Sequence, residues 1–227
     1  HGKTTTTSMI AMMLAMAGTD PTVLIGGDLA YLQGNARLGR GPYAVAEADE
    51  SDGSFLKLAP CIAVVTNIEN DHLDYYGTME NILHTFGEFL HKLPVENGLA
   101  VLCYDNAYLR SIAGQAGCPV VSYAIGHEAD YTARNIRING AATIYEAYHH
   151  GSLLGTVTLS VPGRHNVANS LAAVAVGRHL GLDFDTIAGG LEAFQGAKRR
   201  FQTKGRVAGV WVVDDYAHHP TEISTTL

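Results

Sequence analysis

The stretch that decides the fold is HGKTTTTSMIAMMLAMAG, residues 1–18. Its opening Gly2-Lys3-Thr4 matches the end of the pattern G-x-x-x-x-G-K-[ST], in which backbone N–H groups wrap phosphates, the lysine reaches the β- and γ-phosphates, and the hydroxyl holds Mg²⁺. The residues after the threonines are strong, mostly apolar helix formers, and Gly18 stands where a helix C-terminal cap belongs. A glycine turn leading into the N-terminus of a buried helix is the geometry that anion binding needs. We therefore predict a phosphate-binding loop.

Half of a motif is weak by itself, because Gly-Lys-Thr occurs by chance in many proteins, and a polar helix start is the alternative interpretation. The apolar helix that follows favours the phosphate loop, while its methionines are interpreted as core packing. The first glycine of the pattern and an initiator methionine are missing, and a strand normally precedes such a loop. We therefore expect the chain to be a piece of a longer protein.

Length, charge and cysteine content bound the class of protein. A chain of 227 residues allows one large domain, or one domain and part of another. The net charge of −7 argues against a general nucleic-acid or membrane-surface binder. No apolar run approaches the ~20 residues that cross a bilayer. Cys61, Cys103 and Cys118 are odd in number and far apart, so we expect buried, reduced thiols in a cytoplasmic protein, without a disulfide framework or zinc site.

As far as Tyr131, short β-branched runs alternate with helical stretches. Continuous apolar runs indicate strands buried on both faces of a sheet. We therefore predict an α/β fold: a P-loop, doubly wound, mostly parallel sheet with helices on both faces. The predicted strands lie at residues 23–25, 43–46, 61–65, 99–103 and 120–123, and the clearest helices at 79–93 and 106–116.

After Tyr131 the pattern changes to alternation of apolar and polar residues, with Asn139-Gly140 and His150-Gly151 as turn signals. Asn-Gly is a strong hairpin signal, so we predict a small antiparallel sheet attached to the main one. Its three segments are residues 134–138, 143–148 and 153–161.

The last part of the chain contains two more helices and then a new strand. The helices are expected at 166–180 and 184–194, followed by a Gly- and Arg-rich connection at 196–205. A buried strand at 207–213 and a helix from Pro220 come next. We interpret these as the start of a further domain. The predicted division is a central domain at residues 1–198 and the beginning of a second at 199–227.

The candidate polar groups are expected at the C-terminal ends of parallel strands or in the loops after them, where ligands bind in such sheets. Glu47 ends one strand, and its carboxylate can hold Mg²⁺ opposite a phosphate loop. Alone, an acidic solvated loop is the better interpretation. His72 follows the next strand, 25 positions beyond Glu47. Most of the 11 histidines must be ordinary core or surface residues, so only its position after this strand makes His72 a candidate site residue.

Three later stretches add further candidates. Asn166 and Asn169 carry amides that match the N6/N7 edge of adenine, although a helix N-cap at Asn166 is the structural alternative and the two roles are compatible. Arg199-Arg200 either clamps phosphate oxygens or faces water. The last stretch, Asp214-Asp215-Tyr216-Ala217-His218-His219-Pro220, follows the final predicted strand.

Taken together and in this order, these stretches closely resemble the Mur ligase family, the ATP-dependent amide ligases of peptidoglycan precursor synthesis. The resemblance spans the whole chain and implies the central ATP-binding domain plus the opening of the C-terminal domain. The family's G-T-H-G-K-T loop matches at residues 1–4, and its E-A-D-E-S-D, T-N-I-E-x-D-H, G-x-H-N-x-x-N, R-R-F and D-D-Y-x-H-H-P stretches match at Glu47, Thr66, Gly163, Arg199 and Asp214.

One departure separates members of the family. Sister ligases that add D-Glu or a diamino acid carry a lysine about one helix after the stretch that matches His72-Leu73-Asp74, and this lysine is carbamylated and bridges metal. Phe86 stands at that position, so no carbamate can form. The resemblance therefore favours the members that add L-alanine or recycle a murein tripeptide. Residues 50–52 and 66–68 look more like the L-alanine enzyme.

The resemblance implies a reaction that joins L-alanine to the carboxylate of UDP-N-acetylmuramate through an acyl phosphate, with release of ADP and phosphate. It implies ATP and two Mg²⁺ ions, and it leads us to expect an isolated central piece to be inactive. It assigns nucleotide binding to His1, Gly2, Lys3, Thr4, Thr5, Asn166, Asn169 and Arg200. It assigns metal binding to Thr4, Glu47 and His72. It assigns catalysis to Lys3, Glu47, His72, Arg200, Asp215 and His218.

Other interpretations stay open. The same-class alternatives are the tripeptide-recycling ligase and a relative such as folylpolyglutamate synthase. A P-loop ATPase or switch without ligation needs only the Lys3 and Glu47 motifs, and it leaves Asn166, Asn169 and residues 214–220 unexplained. A non-catalytic binding module is the third. No nucleic-acid or membrane partner is expected, and the sequence leaves the oligomeric state open.

Overall fold

The computed structural model describes residues 1–226, so Leu227, the last residue of the predicted second domain, lies outside the described residues. The helices are α1 (Lys3–Met16), α2 (Leu73–Tyr76), α3 (Met79–His91), α4 (Ala107–Ile112), α5 (Arg164–His179), α6 (Phe184–Glu192) and α7 (Pro220–Thr226). The strands are β1 (Thr22–Leu29), β2 (Gly34–Arg37), β3 (Ala44–Ala46), β4 (Ile62–Val65), β5 (Leu99–Cys103), β6 (Val120–Ala124), β7 (Tyr131–Asn139), β8 (Ala142–His149), β9 (Ser152–Leu159), β10 (Gln202–Val207) and β11 (Val210–Asp214).

The main sheet has six strands in the order β4-β5-β6-β7-β8-β9. The pairings from β4 to β7 are parallel, and those from β7 to β9 are antiparallel. All five residues of β5 are buried, as a strand covered on both faces requires. The predicted α/β fold with a mostly parallel sheet is confirmed. The antiparallel strands extend this sheet through β7, which pairs with β6 on one side and β8 on the other.

A second sheet of three strands lies beside α1, in the order β2-β1-β3, with β1 parallel to β3 and antiparallel to β2. Here the expectation of continuously buried strands is wrong for β1, because its residues alternate between buried and exposed over most of its length. Leu24, in the middle of the predicted strand, is 55% exposed, and β1 continues through Gly26-Gly27. Both glycines lie against residues of the candidate site.

Helix α1 is the structural centre of the chain, and its residues 8–14 are all buried. It ends as its sequence predicts, since Gly18 has a φ of +73°. Helices α5 and α6 both pack on α1. The approach is so close that a Cβ on Gly190 of α6 would lie 2.5 Å from Cα of Met13. The packing fixes where the N-terminus of α1 points.

The predicted turns of the antiparallel strands are confirmed. Gly140 has a φ of +59°, and His150 and Gly151 have φ values of +46° and +78°. Two successive positive φ values are typical of the tight turn that joins antiparallel strands.

The prediction of a buried strand at 207–213 is wrong. The chain there forms a two-stranded antiparallel hairpin, β10–β11, and β10 takes up part of the predicted connection at 196–205. Val207, Val210 and Val212 are exposed, because no second layer covers this hairpin in the described part of the chain. The predicted helix from Pro220 is confirmed as α7. Whether residues 199–227 begin a separate domain stays a prediction.

The expectation of buried thiols is right for Cys103 and wrong for Cys61, which is exposed, while Cys118 is partly buried.

Across residues 1–226, none of the helices combines the length and the apolar character needed to cross a membrane.

Candidate functional site

The N-terminus of α1 has the form of an anion site. Gly2 caps it in the left-handed conformation, with φ +79°, and it offers no side-chain hydrogen bond to the first turn. The first-turn N–H groups and the positive end of the helix dipole are therefore directed at whatever lies beyond the helix. The loop also needs a glycine for space, because a Cβ on Gly2 would lie 2.6 Å from Oδ1 of Asn169.

Thr4 and Glu47 form a pair of oxygen ligands next to this helix end. Oγ1 of Thr4 donates to Oε1 of Glu47 at 2.8 Å, and the N–H of Gly26 donates to Oε2 of the same carboxylate at 2.6 Å. Glu47 follows β3, which brings the carboxylate to the end of the strand beside α1. A hydroxyl and a carboxylate oxygen this close fit Mg²⁺, a hard cation that prefers oxygen ligands.

Lys3 points at the acidic loop that follows Glu47. Its Nζ bonds to Oε2 of Glu50 and lies 3.7 Å from Oδ1 of Asp49. Burial acts to raise the pKa of Asp49. Hydrogen bonds from Ser51 and the charge of Lys3 act in the opposite direction and outweigh burial, so this pKa lies below its ordinary value. Lys3 is thus held by the carboxyl groups of this loop, and it has to exchange them for any phosphate that it binds.

His72 lies on the other side of the same acidic loop. Its Nε2 is 3.8 Å from Oε1 of Glu50 and 3.7 Å from Oδ2 of Asp71. Burial acts to raise the pKa of Asp71, and the N–H and charge of His72 outweigh this and lower it. The neighbouring small cavity is also lined by Phe86, which is buried and packs against Phe55. The position without a lysine is therefore filled by an aromatic ring beside His72.

A cavity of about 240 Å³ opens beside the phosphate loop. Lys3, Glu47, His72 and His218 do not line it, although the first three are linked to its loop by the contacts above. Its walls bring together eight of the predicted site residues: His1, Gly2, Thr4, Thr5, Asn166, Asn169, Arg200 and Asp215.

Asn166 and Asn169 lie on the buried side of the first turns of α5. Asn166 donates from Nδ2 to the carbonyl of Pro162 at 2.6 Å, and Asn169 donates to Oδ1 of Asn166 at 3.4 Å. The alternative of an N-cap at Asn166 is wrong, because the cap is Gly163, whose φ of +104° no ordinary side chain favours.

The expected placement at the ends of parallel strands is only partly right. Glu47 and the loop to His72 follow the parallel strands β3 and β4. The asparagines follow β9 and Asp215 follows β11, and both strands are antiparallel to their partners. The site is therefore assembled at the ends of both parallel and antiparallel strands, and the sequence patterns did not distinguish the two.

The C-terminal segment closes one side of the cavity. Asp215 accepts from the N–H of Phe201 at 2.8 Å and from that of Ala217 at 2.7 Å, which fixes the turn after β11. The Arg200 guanidinium lies 5.7 Å from the ring centre of Tyr216, and its Nη1 is 4.0 Å from a carboxylate oxygen of Glu222. His218 is 72% exposed and contacts Glu222 from outside the cavity.

Sequence reasoning missed several residues that the fold brings to the candidate site. Glu50 was not singled out as the partner of Lys3, and Glu69, His165 and Glu222 received no role. Burial lowers the pKa of His165, and the charge of Asp215 acts in the opposite direction. Glu69 and His165 lie inside the quoted motifs, so their motif membership was the available signal. Glu222 lies beyond the last motif, and only the fold reveals it.

Residues 1–177 match the family model of the Mur ligase middle domain. The chain belongs to the Mur ligase family. The resemblance predicted from the motifs is thereby confirmed. Among curated proteins, the chain is similar over its whole length to Mur ligases named UDP-N-acetylmuramate–L-alanine ligase. Identity is 58% with that of Pelotomaculum thermopropionicum and 51% with that of Geobacter sulfurreducens.

Solved Mur ligase structures share the fold. The alanine-adding ligase of Thermotoga maritima superposes with a TM-score of 0.87 at 31% identity, covering 99% of this chain and 50% of that one. The tripeptide ligase of Neisseria meningitides has a TM-score of 0.78 at 33% identity, with coverages of 88% and 65%. A MurF ligase from Thermotoga maritima, solved in complex with ADP, has a TM-score of 0.82 at 26% identity, covering 100% of this chain and 54% of that one.

The chain spans about half the length of the curated relatives it matches, 49% for both proteins named above.

Proposed function

We propose that this chain is the nucleotide-binding part of an ATP-dependent amide ligase that joins L-alanine to the carboxylate of UDP-N-acetylmuramate in the cytoplasm. The observation that carries the proposal is the shared cavity, which has the phosphate loop on one wall and Arg200 and Asp215 on the other. Relatives that bear this activity in their names align with the chain over its full length, and this supports the choice of substrates.

The proposed nucleotide position follows from the wall residues. The loop amides of residues 1–5 and the ammonium of Lys3 take the β- and γ-phosphates. Asn166 and Asn169 supply amide donors and acceptors for the adenine edge. To bind the nucleotide in this way, Asn166 has to give up its hydrogen bond to the Pro162 carbonyl, and Lys3 has to give up its bond to Glu50.

Magnesium belongs to the proposal for an electrostatic reason. Glu47, Asp49 and Glu50 surround the helix end with negative charge, which repels a polyphosphate unless cations lie between them. Thr4 and Glu47 are proposed to hold one Mg²⁺, and His72 to contribute to a second. Bound there, Mg²⁺ supplies positive charge for the phosphoryl group in transfer.

The proposed chemistry has two steps. A carboxylate oxygen of UDP-N-acetylmuramate attacks the γ-phosphorus, the bond to the ADP oxygen breaks, and an acyl phosphate forms. The amine of L-alanine then attacks the acyl carbon and loses a proton, and phosphate leaves. Lys3 and Arg200 provide positive charge on opposite sides of the transferred group. We place Asp215 against the nucleotide and His218 towards the alanine.

One observation favours L-alanine over the murein tripeptide as acceptor. The L-alanine ligases named above are 51–58% identical to the chain over its whole length, whereas the tripeptide ligase of Neisseria meningitides is 33% identical over 88% of it. Phe86 excludes a carbamylated lysine in both cases, so it does not separate these two acceptors.

The test uses a chimera in which residues 1–227 replace the equivalent part of the Pelotomaculum thermopropionicum ligase. Phosphate release is measured with ATP, Mg²⁺ and UDP-N-acetylmuramate, against single amino acids and L-Ala-γ-D-Glu-diaminopimelate. Release that depends on L-alanine supports the proposal. Release only with the tripeptide assigns the recycling reaction, and release without acceptor or nucleotide sugar assigns a P-loop ATPase.

The 227-residue chain alone is expected to release no phosphate in an alanine-dependent way. It spans about half of its relatives, and the acceptor site of an amide ligase has to be assembled around the acyl phosphate. The same phosphate assay with the chain alone checks this. Alanine-dependent release at a rate comparable to that of the chimera would contradict it.

A further inference from the structure

Three side chains from distant parts of the sequence converge beside the phosphate loop. Nε2 of His1 lies 3.4 Å from Oε2 of Glu69, and Nδ1 of His219 lies 3.6 Å from the same oxygen. One ligand atom from each of the three residues lies within 4.8 Å of the others. His1 comes from the loop, Glu69 from the segment after β4, and His219 from the start of α7, so the cluster joins three elements.

The surroundings of His1 leave one ring nitrogen facing this cluster. Nδ1 of His1 lies 2.9 Å from Oε1 of Glu222, whereas its Nε2 is buried and has no hydrogen-bond partner. A hydrogen bond from Nδ1–H to this carboxylate orients the ring so that Nε2 faces the cluster. A carboxylate behind a histidine is the usual support of a metal-binding imidazole.

Contacts from Thr221 orient both His219 and Glu69 within the cluster. The N–H of Thr221 points at Nδ1 of His219 at 3.3 Å, which requires a lone pair on that nitrogen. Oγ1 of Thr221 donates to Oε2 of Glu69 at 2.9 Å and orients the carboxylate. A ligand that takes the Nδ1 lone pair replaces only the long contact from the Thr221 N–H.

We propose that His1, Glu69 and His219 form a binding site for a divalent transition metal of the zinc class, which ties α7 to the phosphate loop. Tetrahedral ligands about 2.0–2.1 Å from zinc lie roughly 3.3–3.4 Å from one another, close to the 3.4 and 3.6 Å found here. Two imidazoles and one carboxylate suit zinc or its neighbours rather than Mg²⁺. The site is separate from Thr4, Glu47 and His72, and it holds the C-terminal segment over the cavity.

The test is a titration of the 227-residue chain with Co²⁺, followed by Zn²⁺, in excess Mg²⁺. We expect one Co²⁺ per chain, with the strong visible absorption of tetrahedral coordination, and its displacement by Zn²⁺. Glu69→Gln and His219→Ala should abolish the absorption. Glu222→Gln, which removes only the support behind His1, should weaken binding about 10–100-fold. His127→Ala is the matched control, since His127 also pairs with a carboxylate, Asp105, at 3.1 Å but lies outside the cluster.

Two outcomes would overturn the proposal. Binding that survives both Glu69→Gln and His219→Ala would place the metal outside this cluster. Absence of tetrahedral Co²⁺ binding would mean that the three side chains only contact one another and hold no metal. Thermal unfolding with EDTA shows whether each variant is folded. With Zn²⁺, the melting temperature should rise for the parent chain and His127→Ala, and stay unchanged for His219→Ala.

Discussion

Oδ1 of Asn169 occupies the space in which a side chain on residue 2 would begin. A Cβ on Gly2 would lie only 2.6 Å from that oxygen, and Asn169 is itself 7% exposed and bonded to Asn166. The loop and the first turns of α5 are therefore in direct contact. The two groups proposed for opposite ends of a nucleotide, the phosphate loop and the asparagine pair, constrain each other before any ligand arrives.

Gly2→Ala is expected to weaken ADP binding by the chimera about tenfold or more, because relieving such an overlap costs about 1–3 kcal/mol. Gly18→Ala is the matched control: its φ of +73° is close to the +79° of Gly2, but nothing lies within 4 Å of the Cβ that it would carry. Both variants share the backbone strain, and only the first moves the loop. Calorimetric titration with ADP and Mg²⁺ measures the difference. Equal affinities of the two variants would contradict the contact.

Lys3→Ala and Glu47→Ala are each expected to lower turnover of the chimera by ~10²–10³, since each removes charge at the transferring phosphoryl group or its metal. The assay is phosphate release with L-alanine at saturating ATP. Lys57→Ala is the control, because Lys57 is an exposed lysine in the 3₁₀ turn at 54–57. Near-normal turnover of either site variant would remove that residue from the proposed mechanism.

The sequence predicted those parts of the fold that local patterns encode. The apolar run after the phosphate loop, ending at Gly18, marked α1, and turn residues marked the hairpins of the main sheet. The hairpin β10–β11 was missed because its turn is Ala208-Gly209, where alanine adopts a φ of +49° that its side chain does not favour. Its valines looked like a buried strand, yet a two-stranded hairpin has no second layer to cover them.

Parts of the candidate site could not be predicted for a different reason. The partner of Lys3 is Glu50, and the partners of His1 are Glu69 and Glu222. These pairs are far apart in sequence, so no local pattern connects them, and only the packing of three segments brings them together. Motif order predicted eight of the residues that line the cavity, but not which of them already bind each other.

The close packing of α6 on α1 predicts opposite effects for two adjacent glycines. A Cβ on Gly190 would lie 2.5 Å from Cα of Met13, so Gly190→Ala is expected to lower the free energy of unfolding by about 1–3 kcal/mol. Gly189 is exposed on the same helix with nothing within 4 Å, so Gly189→Ala should raise it by about 0.5–1 kcal/mol. Urea unfolding of both variants measures this. A stabilising Gly190→Ala would mean that the two helices are not in contact.

The depressed pKa of His165 makes the chain sensitive to mild acid. Burial holds this pKa below its ordinary value of 6.5, so the unfolded chain binds a proton that the folded chain does not. The free energy of unfolding should therefore fall as the pH drops from 6.5 towards the lowered pKa of His165. Above pH 6.5 neither the folded nor the unfolded chain binds this proton, so His165 adds no pH dependence there. His149 has a pKa lowered by burial and adds to the slope, so His165→Gln should reduce it without abolishing it. Urea unfolding between neutral and mildly acidic pH measures the slope, and His84→Gln, at a side chain 75% exposed, should leave it unchanged. An identical slope in His165→Gln and the parent chain would show that the folded state accommodates the protonated ring.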